Sequence, residues 1–210
     1  MNDQNLIIFL IGVSAVGKTS IGKSLSETLK LPFYDADDYH PRSNKQKMAS
    51  GSPLTDDDRQ DWLLRINELA EEQIKKNACI IACSALKKSY RKILQKGVES
   101  QVKWIFLEGD FKLLKKRLAD RKDHFMPISL LRSQFETLEK PDDAFRVSVD
   151  QSPQQIHDLI ISELNKSDIG LVGLGVMGKS LYRNLAPKGF KISFFNRHVP
   201  DKEENGAVNL

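Results

Sequence analysis

Apolar and polar positions alternate along this chain in blocks that predict strands and helices in turn. Residues 6–13 form an unbroken apolar run, which is typical of a strand buried on both faces of a parallel sheet. Residues 17–29 then have helical spacing. The same succession predicts further strands at 32–37, 78–84, 102–109 and 145–150, and helices at 56–76, 87–96, 111–121, 129–138 and 153–164. The alternation indicates an α/β fold in which helices cover both faces of a parallel sheet.

A polar break at residues 165–168 interrupts this pattern and predicts a linker. The chain has 210 residues, enough for one well-packed domain and a smaller appendage. We therefore assign residues 1–166 to a first domain and residues 167–210 to a second, shorter segment.

Composition and charge narrow the class of protein. The formal net charge of +4 suits a protein that handles phosphates but is too small to argue for a nucleic-acid partner. The apolar run near the N-terminus is too short to span a membrane. Cys79 and Cys83 lie four residues apart in one predicted strand, where they cannot easily pair. We expect reduced, buried thiols and a cytoplasmic protein.

The segment GVSAVGKT, residues 12–19, has the spacing G-x-x-x-x-G-K-S/T of a phosphate loop. It follows a buried strand and opens a helix, the context in which backbone N–H groups and the helix N-terminus bind phosphate. Lys18 would reach the β- and γ-phosphates, and Thr19 would offer its hydroxyl to Mg²⁺. The predicted ATP-binding residues here are Gly12, Val13, Ser14, Ala15, Val16, Gly17, Lys18, Thr19 and Ser20.

Two acids follow the second predicted strand, on the side that would face the phosphate loop. Side chains in a strand alternate with period two, so Asp35 and Asp37 are predicted to point to the same face. We expect Asp35 to hold Mg²⁺ through water and Asp37 to orient the attacking hydroxyl, with proton removal a lesser part of its role. The alternative for Asp37 is an acid that caps a turn or helix.

The polar chain beyond these acids carries a resemblance to a known family. It reads DADDYHPRSNKQKMASGSPLTDDDRQDWL from Asp35 onward, and later segments read CSALKKSYR, DHFMPISLLRSQFETLE and VDQSP. Together with GVSAVGKT, these segments resemble the small phosphate-loop gluconate kinases, or gluconokinases, over residues 8 to about 155. A shikimate kinase would show a glycine-rich run where this chain has CSAL.

The resemblance implies ATP- and Mg²⁺-dependent phosphorylation of D-gluconate at its 6-hydroxyl. It also implies a three-layer P-loop kinase sandwich with a five-stranded parallel sheet and a lid, and it allows a homodimer. Arg59 would bind the acceptor carboxylate, since guanidinium is a planar bidentate donor; a surface arginine is the alternative. Pro41 biases His40 towards an extended backbone and so predicts a loop. The remaining acceptor candidates are His40, Arg42, Lys87, Arg91 and Gln134, with surface charges or a core amide as alternatives.

Three further residues lie where a predicted helix gives way to a polar loop, at the position of the lid in related kinases. Arg121 is expected to bring positive charge onto the transferring phosphoryl group, and Arg117 lies four residues earlier on the same helix face. His124 is a further substrate-binding candidate. Lys18, Asp37 and Arg121 are therefore the predicted catalytic residues.

The C-terminal segment reads as strand, glycine turn, helix and strand, with the spacing Gly173-x-Gly175-x-x-Gly178. Asn196-Arg197 follows the second strand where an acid would indicate NAD, so NADP is the better match. The segment resembles the N-terminal start of 6-phosphogluconate dehydrogenases, which suggests a larger parent protein with both activities. One βαβ unit cannot form a dinucleotide crevice, so we expect neither NADP binding nor dehydrogenase activity from this chain.

Several alternatives remain at this point. The C-terminal segment could dock on the first domain, add a strand to its sheet, stay partly disordered, or be one more βα unit of a single domain. The chain could phosphorylate another small hydroxylated acid. It could also be a fragment of a nicotinamide-dependent oxidoreductase whose N-terminal part senses a nucleotide.

Overall fold

Five parallel strands form the main sheet. In the computed structural model, which describes residues 6–120, 127–166, 169–172, 176–188, 192–195 and 207–209, they follow the order β2-β3-β1-β4-β5. Central β1 is buried along its whole length, because both of its edges are paired and both faces are covered. The strands are β1 Ile7–Ile11, β2 Phe33–Asp35, β3 Cys79–Cys83, β4 Val102–Glu108 and β5 Phe145–Ser148.

Helices connect these strands, and the predicted α/β fold with its five-stranded parallel sheet is confirmed. Long α3 begins with the capping box that its acidic start favours, since the Thr55 and Asp58 side chains each accept the other's backbone N–H. The helices are α1 Lys18–Leu29, α2 Arg42–Ala49, α3 Asp56–Ile74, α4 Lys88–Leu94, α5 Phe111–Ala119, α6 Ile128–Thr137 and α7 Pro153–Leu164.

Helix α2 corrects the loop predicted after His40. His40 is extended, with φ −62° and ψ 135°, as expected before proline. Pro41 then precedes the first helical residue, Arg42, and Pro is well suited to a helix start because it lacks the N–H that would stay unpaired there. The residues of α2 are almost all polar, so no apolar periodicity marked it as a helix.

The end of β2 also differs from its prediction. The strand stops at Asp35, and residues Ala36–Tyr39 form a 3-10 turn. The period-two argument for Asp35 and Asp37 was therefore wrong, since Asp37 lies in the turn. Asp35 instead caps that turn, and its Oδ1 accepts the Asp37 backbone N–H at 3.1 Å.

One face of the sheet packs against α3 and α4 and forms a hydrophobic core cluster. Trp62 is the largest fully buried side chain there, and its indole N–H donates to the Ala36 carbonyl at 2.7 Å. This bond ties α3 to the turn that carries Asp37. Cys79 and Cys83 are buried and unpaired in β3, and desolvation raises the pKa of each thiol to about 12.

The chain divides into two compact units, one of them Asn5–Ile161. The other contains a parallel sheet of order β6-β7-β8, formed by Ile169–Val172, Ile192–Phe195 and Ala207–Asn209, and helix α8, Val176–Leu185. Among the described residues, β6, β7 and β8 form a three-stranded sheet of their own rather than further strands of the five-stranded sheet. The boundary between residues 166 and 167 stays a prediction.

No helix in the part of the chain that the structure describes combines the length and apolar character needed to cross a membrane.

Candidate active site

The segment GVSAVGKT wraps around the end of β1 in a conformation that needs glycine at two points. Gly12 has φ 143° and Gly17 has φ 96°, both in the region that residues with a Cβ rarely adopt. A Cβ on Gly12 would lie 2.6 Å from the Leu107 carbonyl oxygen of β4. Helix α1 begins directly after Gly17, so its N-terminal N–H groups open onto the loop.

The two glycines predict different effects of the same substitution. Gly17→Ala meets no atom within 4 Å, so only its backbone strain remains, about 1–2 kcal/mol of unfolding free energy. Gly12→Ala adds a collision with backbone, so we expect a larger loss of stability and weaker ATP binding. Denaturant unfolding and calorimetric titration with ATP measure both quantities. Equal losses for the two variants would contradict the role assigned to the Leu107 carbonyl.

The Lys18 side chain folds back over the loop. Its Nζ donates to the carbonyl oxygens of Gly12 at 2.9 Å and Val13 at 3.1 Å. These bonds hold the ammonium group against the backbone of the loop. Its positive charge and the N-terminus of α1 make the loop suitable for a phosphate chain.

Thr19 and Asp35 meet although 16 residues separate them. The Thr19 hydroxyl donates to Asp35 Oδ2 at 2.7 Å, while Asp35 Oδ1 accepts the Asp37 N–H. A hydroxyl and a carboxylate beside a phosphate loop are the hard oxygen donors that Mg²⁺ prefers, so these residues fit the predicted metal site. Asp35 thereby joins the loop to the turn that carries Asp37.

His40 lies beside Asp37 but is buried beneath the surface. Its Nε2 is 3.9 Å from Asp37 Oδ1, and its ring stacks on Trp62 with centroids 4.1 Å apart. Desolvation, with the positive charges of Arg59 and Lys45, lowers the pKa of His40 to about 4. Its Nδ1 has no hydrogen-bond partner among the described residues. His40 is therefore neutral near pH 7, and its packing against Trp62 supports the site.

This burial predicts a pH dependence of stability. As the pH falls from about 6.5 to about 4, the unfolded chain protonates His40 while the folded chain does not, so the unfolding free energy decreases. His40→Phe keeps a ring on Trp62 but cannot titrate. Denaturant titrations at a series of pH values should show that the variant loses about 2–3 kcal/mol less than the parent across this window. Parallel curves of unfolding free energy against pH for the variant and the parent would contradict this prediction.

Arg59, Lys87, Asp56 and Tyr90 form a cluster that we call the cation cluster. Lys87 Nζ lies 2.7 Å from both Asp56 carboxylate oxygens, and the Tyr90 hydroxyl donates to Asp56 Oδ1. Arg59 Cζ lies 5.7 Å, and Lys87 Nζ 5.5 Å, from the centre of the Tyr90 ring. The sequence indicated Arg59 and Lys87, but no motif singled out Asp56 or Tyr90.

Arg91 and Arg42 do not join the cation cluster. Arg91 is buried and donates to the carbonyl oxygens of Ala85 at 2.9 Å and Leu86 at 3.3 Å. Ala85 has φ 43°, so Arg91 stabilises a strained loop after β3. Its assignment to substrate binding stays a prediction. Arg42 is exposed as the first residue of α2.

Gln134, a residue of α6, forms hydrogen bonds to the phosphate loop. Its Oε1 accepts the Ser14 backbone N–H at 2.7 Å, and its Nε2 donates to the Ser14 hydroxyl at 3.1 Å. In this structure Gln134 joins α6 to the phosphate loop, and its role as a residue of the acceptor pocket stays a prediction. Arg117 donates to the Val149 carbonyl. Arg121 and His124 lie outside the described residues.

A phosphate loop after the central strand of this sheet, with acids at the end of β2 one strand removed at the same edge, defines a small-molecule kinase of the P-loop class. A family model described as shikimate kinase matches residues 14–167. The shikimate kinase of Aquifex aeolicus, at 18% identity and a TM-score of 0.54, shares the fold.

Within that class, the chain belongs to the gluconokinase family. It is 47% identical over 133 residues to the thermosensitive gluconokinase of Escherichia coli K12, covering 63% of this chain and 71% of that protein. It is 37% identical over 176 residues to a gluconokinase of Arabidopsis thaliana, covering 77% and 93% of the two chains. The solved gluconokinase of Sinorhizobium meliloti 1021 matches at 34% identity and a TM-score of 0.71, over 90% of this chain and 99% of that one.

The C-terminal segment matches a different family. A model described as the NAD binding domain of 6-phosphogluconate dehydrogenase matches residues 168–207, in agreement with the resemblance seen in the sequence. Gly178 lies in α8. Gly173, Gly175 and the pair Asn196-Arg197, on which the preference for NADP rested, lie outside the described residues.

Proposed function

We propose that this chain transfers the γ-phosphoryl group of ATP to the 6-hydroxyl of D-gluconate, forming 6-phospho-D-gluconate and ADP. The observation that carries the proposal is 47% identity over 133 residues with a protein named as a gluconokinase. The cation cluster supports it, because two cations and one carboxylate leave one excess positive charge for an acidic acceptor.

On the nucleotide side, the phosphate loop binds the β- and γ-phosphates through its N–H groups and Lys18. Thr19 and Asp35 would hold Mg²⁺, Asp35 through water, and the ion would neutralise charge on the phosphate oxygens. The hydrogen bond between Thr19 and Asp35 keeps their oxygens together, so little rearrangement is needed to offer them to the ion. Lys18 stabilises negative charge as the phosphoryl group leaves the nucleotide.

On the acceptor side, Asp37 orients the 6-hydroxyl for in-line attack, since a loose transition state requires positioning more than a strong base. Asp37 is exposed as the second residue of the 3-10 turn, and the bond from its N–H to Asp35 fixes its position relative to the metal ligands. Arg59 and Lys87 bind the carboxylate at the other end of the acceptor. Arg117, Arg121 and His124 keep the lid roles predicted from the sequence, as parts of this proposal.

An acceptor panel tests the activity. ADP formation by the full chain is followed with ATP and Mg²⁺ in the presence of D-gluconate, shikimate or D-glucitol, and mass spectrometry identifies the product. We expect turnover with D-gluconate and a phosphate on its 6-hydroxyl. Turnover with shikimate and none with D-gluconate would overturn the proposal.

We propose further that residues 167–210 take no part in phosphoryl transfer and do not oxidise 6-phosphogluconate. The separate sheet of β6, β7 and β8 supports this division. A chain of residues 1–166 should retain the kinase activity of the full chain, and the full chain should not reduce NADP⁺ with 6-phosphogluconate. Loss of kinase activity on truncation would refute the boundary. Cytoplasmic location and a homodimer stay predictions.

A further inference from the structure

We propose that Tyr90 and Asp56 are positioning residues that hold Arg59 and Lys87 as a fixed pair for the acceptor carboxylate. They would thereby select sugar acids over neutral polyols of the same length. The inference rests on the proposed function and extends it to two residues that no phosphate-loop motif includes.

Lys87 is anchored by Asp56. A lysine side chain has four flexible bonds, so it is placed only where a partner holds it. Asp56 accepts from Lys87 through both carboxylate oxygens at 2.7 Å. Asp56 is the first residue of α3, and the capping box at Thr55 fixes that helix start. The Lys87 ammonium group is thus tied to a rigid part of the backbone.

Both cations lie over the ring of Tyr90. Tyr90 is 4% exposed and packs in the core, so its ring moves little. Its negative face attracts cations, and both Arg59 and Lys87 lie within 6 Å of its centre. Its hydroxyl donates to Asp56, so the carboxylate that holds Lys87 is itself held by Tyr90. One ring and one carboxylate therefore offset the repulsion between two neighbouring cations.

Arg59 is anchored by backbone carbonyl oxygens. Its Nη1 donates to the carbonyl oxygens of Leu54 and of Thr55, the latter at 3.2 Å, in the chain that leads into α3. Arg59 lies three residues before Trp62 in α3, so the two side chains share one face of the helix. Trp62 stacks on His40, whose Nε2 lies 3.9 Å from Asp37 Oδ1. The cation cluster therefore lies on the same face of α3 as the contacts to the turn that carries Asp37. An acceptor with a hydroxyl at one end and a carboxylate at the other fits this arrangement.

The test compares an acidic acceptor with a neutral one in the full chain. Tyr90→Phe keeps the ring and removes the hydroxyl, and Asp56→Asn removes the charge that holds Lys87. For each variant we measure kcat and KM for D-gluconate, KM for ATP, and the inhibition constant of D-glucitol, which lacks the carboxylate. We expect KM for D-gluconate to rise about tenfold, the effect of one hydrogen bond to a charged group. The D-glucitol constant, KM for ATP and kcat should change less than about twofold.

Matched controls exist within the chain. Tyr39 also has an arginine over its ring, with Arg65 Cζ at 5.8 Å, and Asp57 is the exposed acid next to Asp56. Tyr39→Phe and Asp57→Asn should leave KM for D-gluconate unchanged.

The outcomes separate this inference from the proposed function. The inference is overturned if both variants weaken the binding of D-gluconate and of D-glucitol equally. It is also overturned if both leave KM for D-gluconate unchanged. In either case the kinase activity stands. If the parent chain does not phosphorylate D-gluconate, the proposed function fails first. Thermal unfolding of each variant identifies a loss of fold; if Tyr90→Phe unfolds, Asp56→Asn, whose side chain is exposed, decides the question.

Discussion

Replacing Lys18 with methionine is expected to lower kcat for gluconate phosphorylation by about 100- to 1,000-fold. Methionine is also long and unbranched, so the substitution removes the ammonium charge with little change in volume. The Lys18 Nζ is bonded to the carbonyl oxygens of Gly12 and Val13 in the phosphate loop. In the proposed reaction, negative charge develops beside this loop as the phosphoryl group moves. ATP binding should weaken as well, since the ground-state phosphates also lose a cation.

The measurement is steady-state ADP formation at saturating gluconate, with calorimetric titration of ATP into the same preparation. Lys23→Met is the matched control, because Lys23 is an exposed lysine on the same helix. It should have the kcat of the parent chain. A Lys18→Met enzyme that stays within about tenfold of the parent would show that this ammonium group does not stabilise the transition state.

Asp37→Asn is expected to lower kcat by about 100-fold and to leave KM for ATP nearly unchanged. Asparagine has almost the same shape, so it tests the carboxylate charge alone. Because Asp35 accepts the backbone N–H of residue 37, the turn keeps its geometry in the variant. The loss should therefore appear in phosphoryl transfer to gluconate, while the nucleotide side remains intact.

Asp38→Asn serves as the control for this variant. Asp38 is the next residue in the same turn and is exposed, and the Lys45 ammonium group bonds to its backbone carbonyl. The kcat of Asp38→Asn should match that of the parent chain. Equal losses for Asp37→Asn and Asp38→Asn would assign the effect to the net charge of the turn. A large rise in KM for ATP would place Asp37 on the nucleotide side, against its proposed role.

Much of the fold could be predicted because its signals are local. The unbroken apolar run of β1 and the helical spacing of α1 each lie within about a dozen residues. The exceptions have physical causes. Helix α2 was missed because its polar residues have no apolar periodicity, and β2 was extended too far because a 3-10 turn begins at Ala36.

The candidate site was predictable only in part. The Thr19 hydroxyl meets Asp35 as expected for a shared metal site, since the phosphate loop and the end of β2 lie at the same edge of a parallel sheet. The position of Asp37 near them follows from the cap made by Asp35, which period-two reasoning did not include. The contacts of Arg91 with the Ala85 and Leu86 carbonyls, and of Gln134 with Ser14, had no signal in the sequence, because a polar side chain near a site can as readily bind other parts of the protein.

By itself, the sequence determined the α/β class, the phosphate loop and the family resemblance, because each depends on residues close together in the chain. Only the tertiary structure decided which charges meet. Lys87 and Tyr90 reach Asp56 across 31 and 34 residues, and Gln134 reaches Ser14 across 120. Such pairs form because packed helices bring their side chains within hydrogen-bond distance, and no local pattern in the chain encodes that distance.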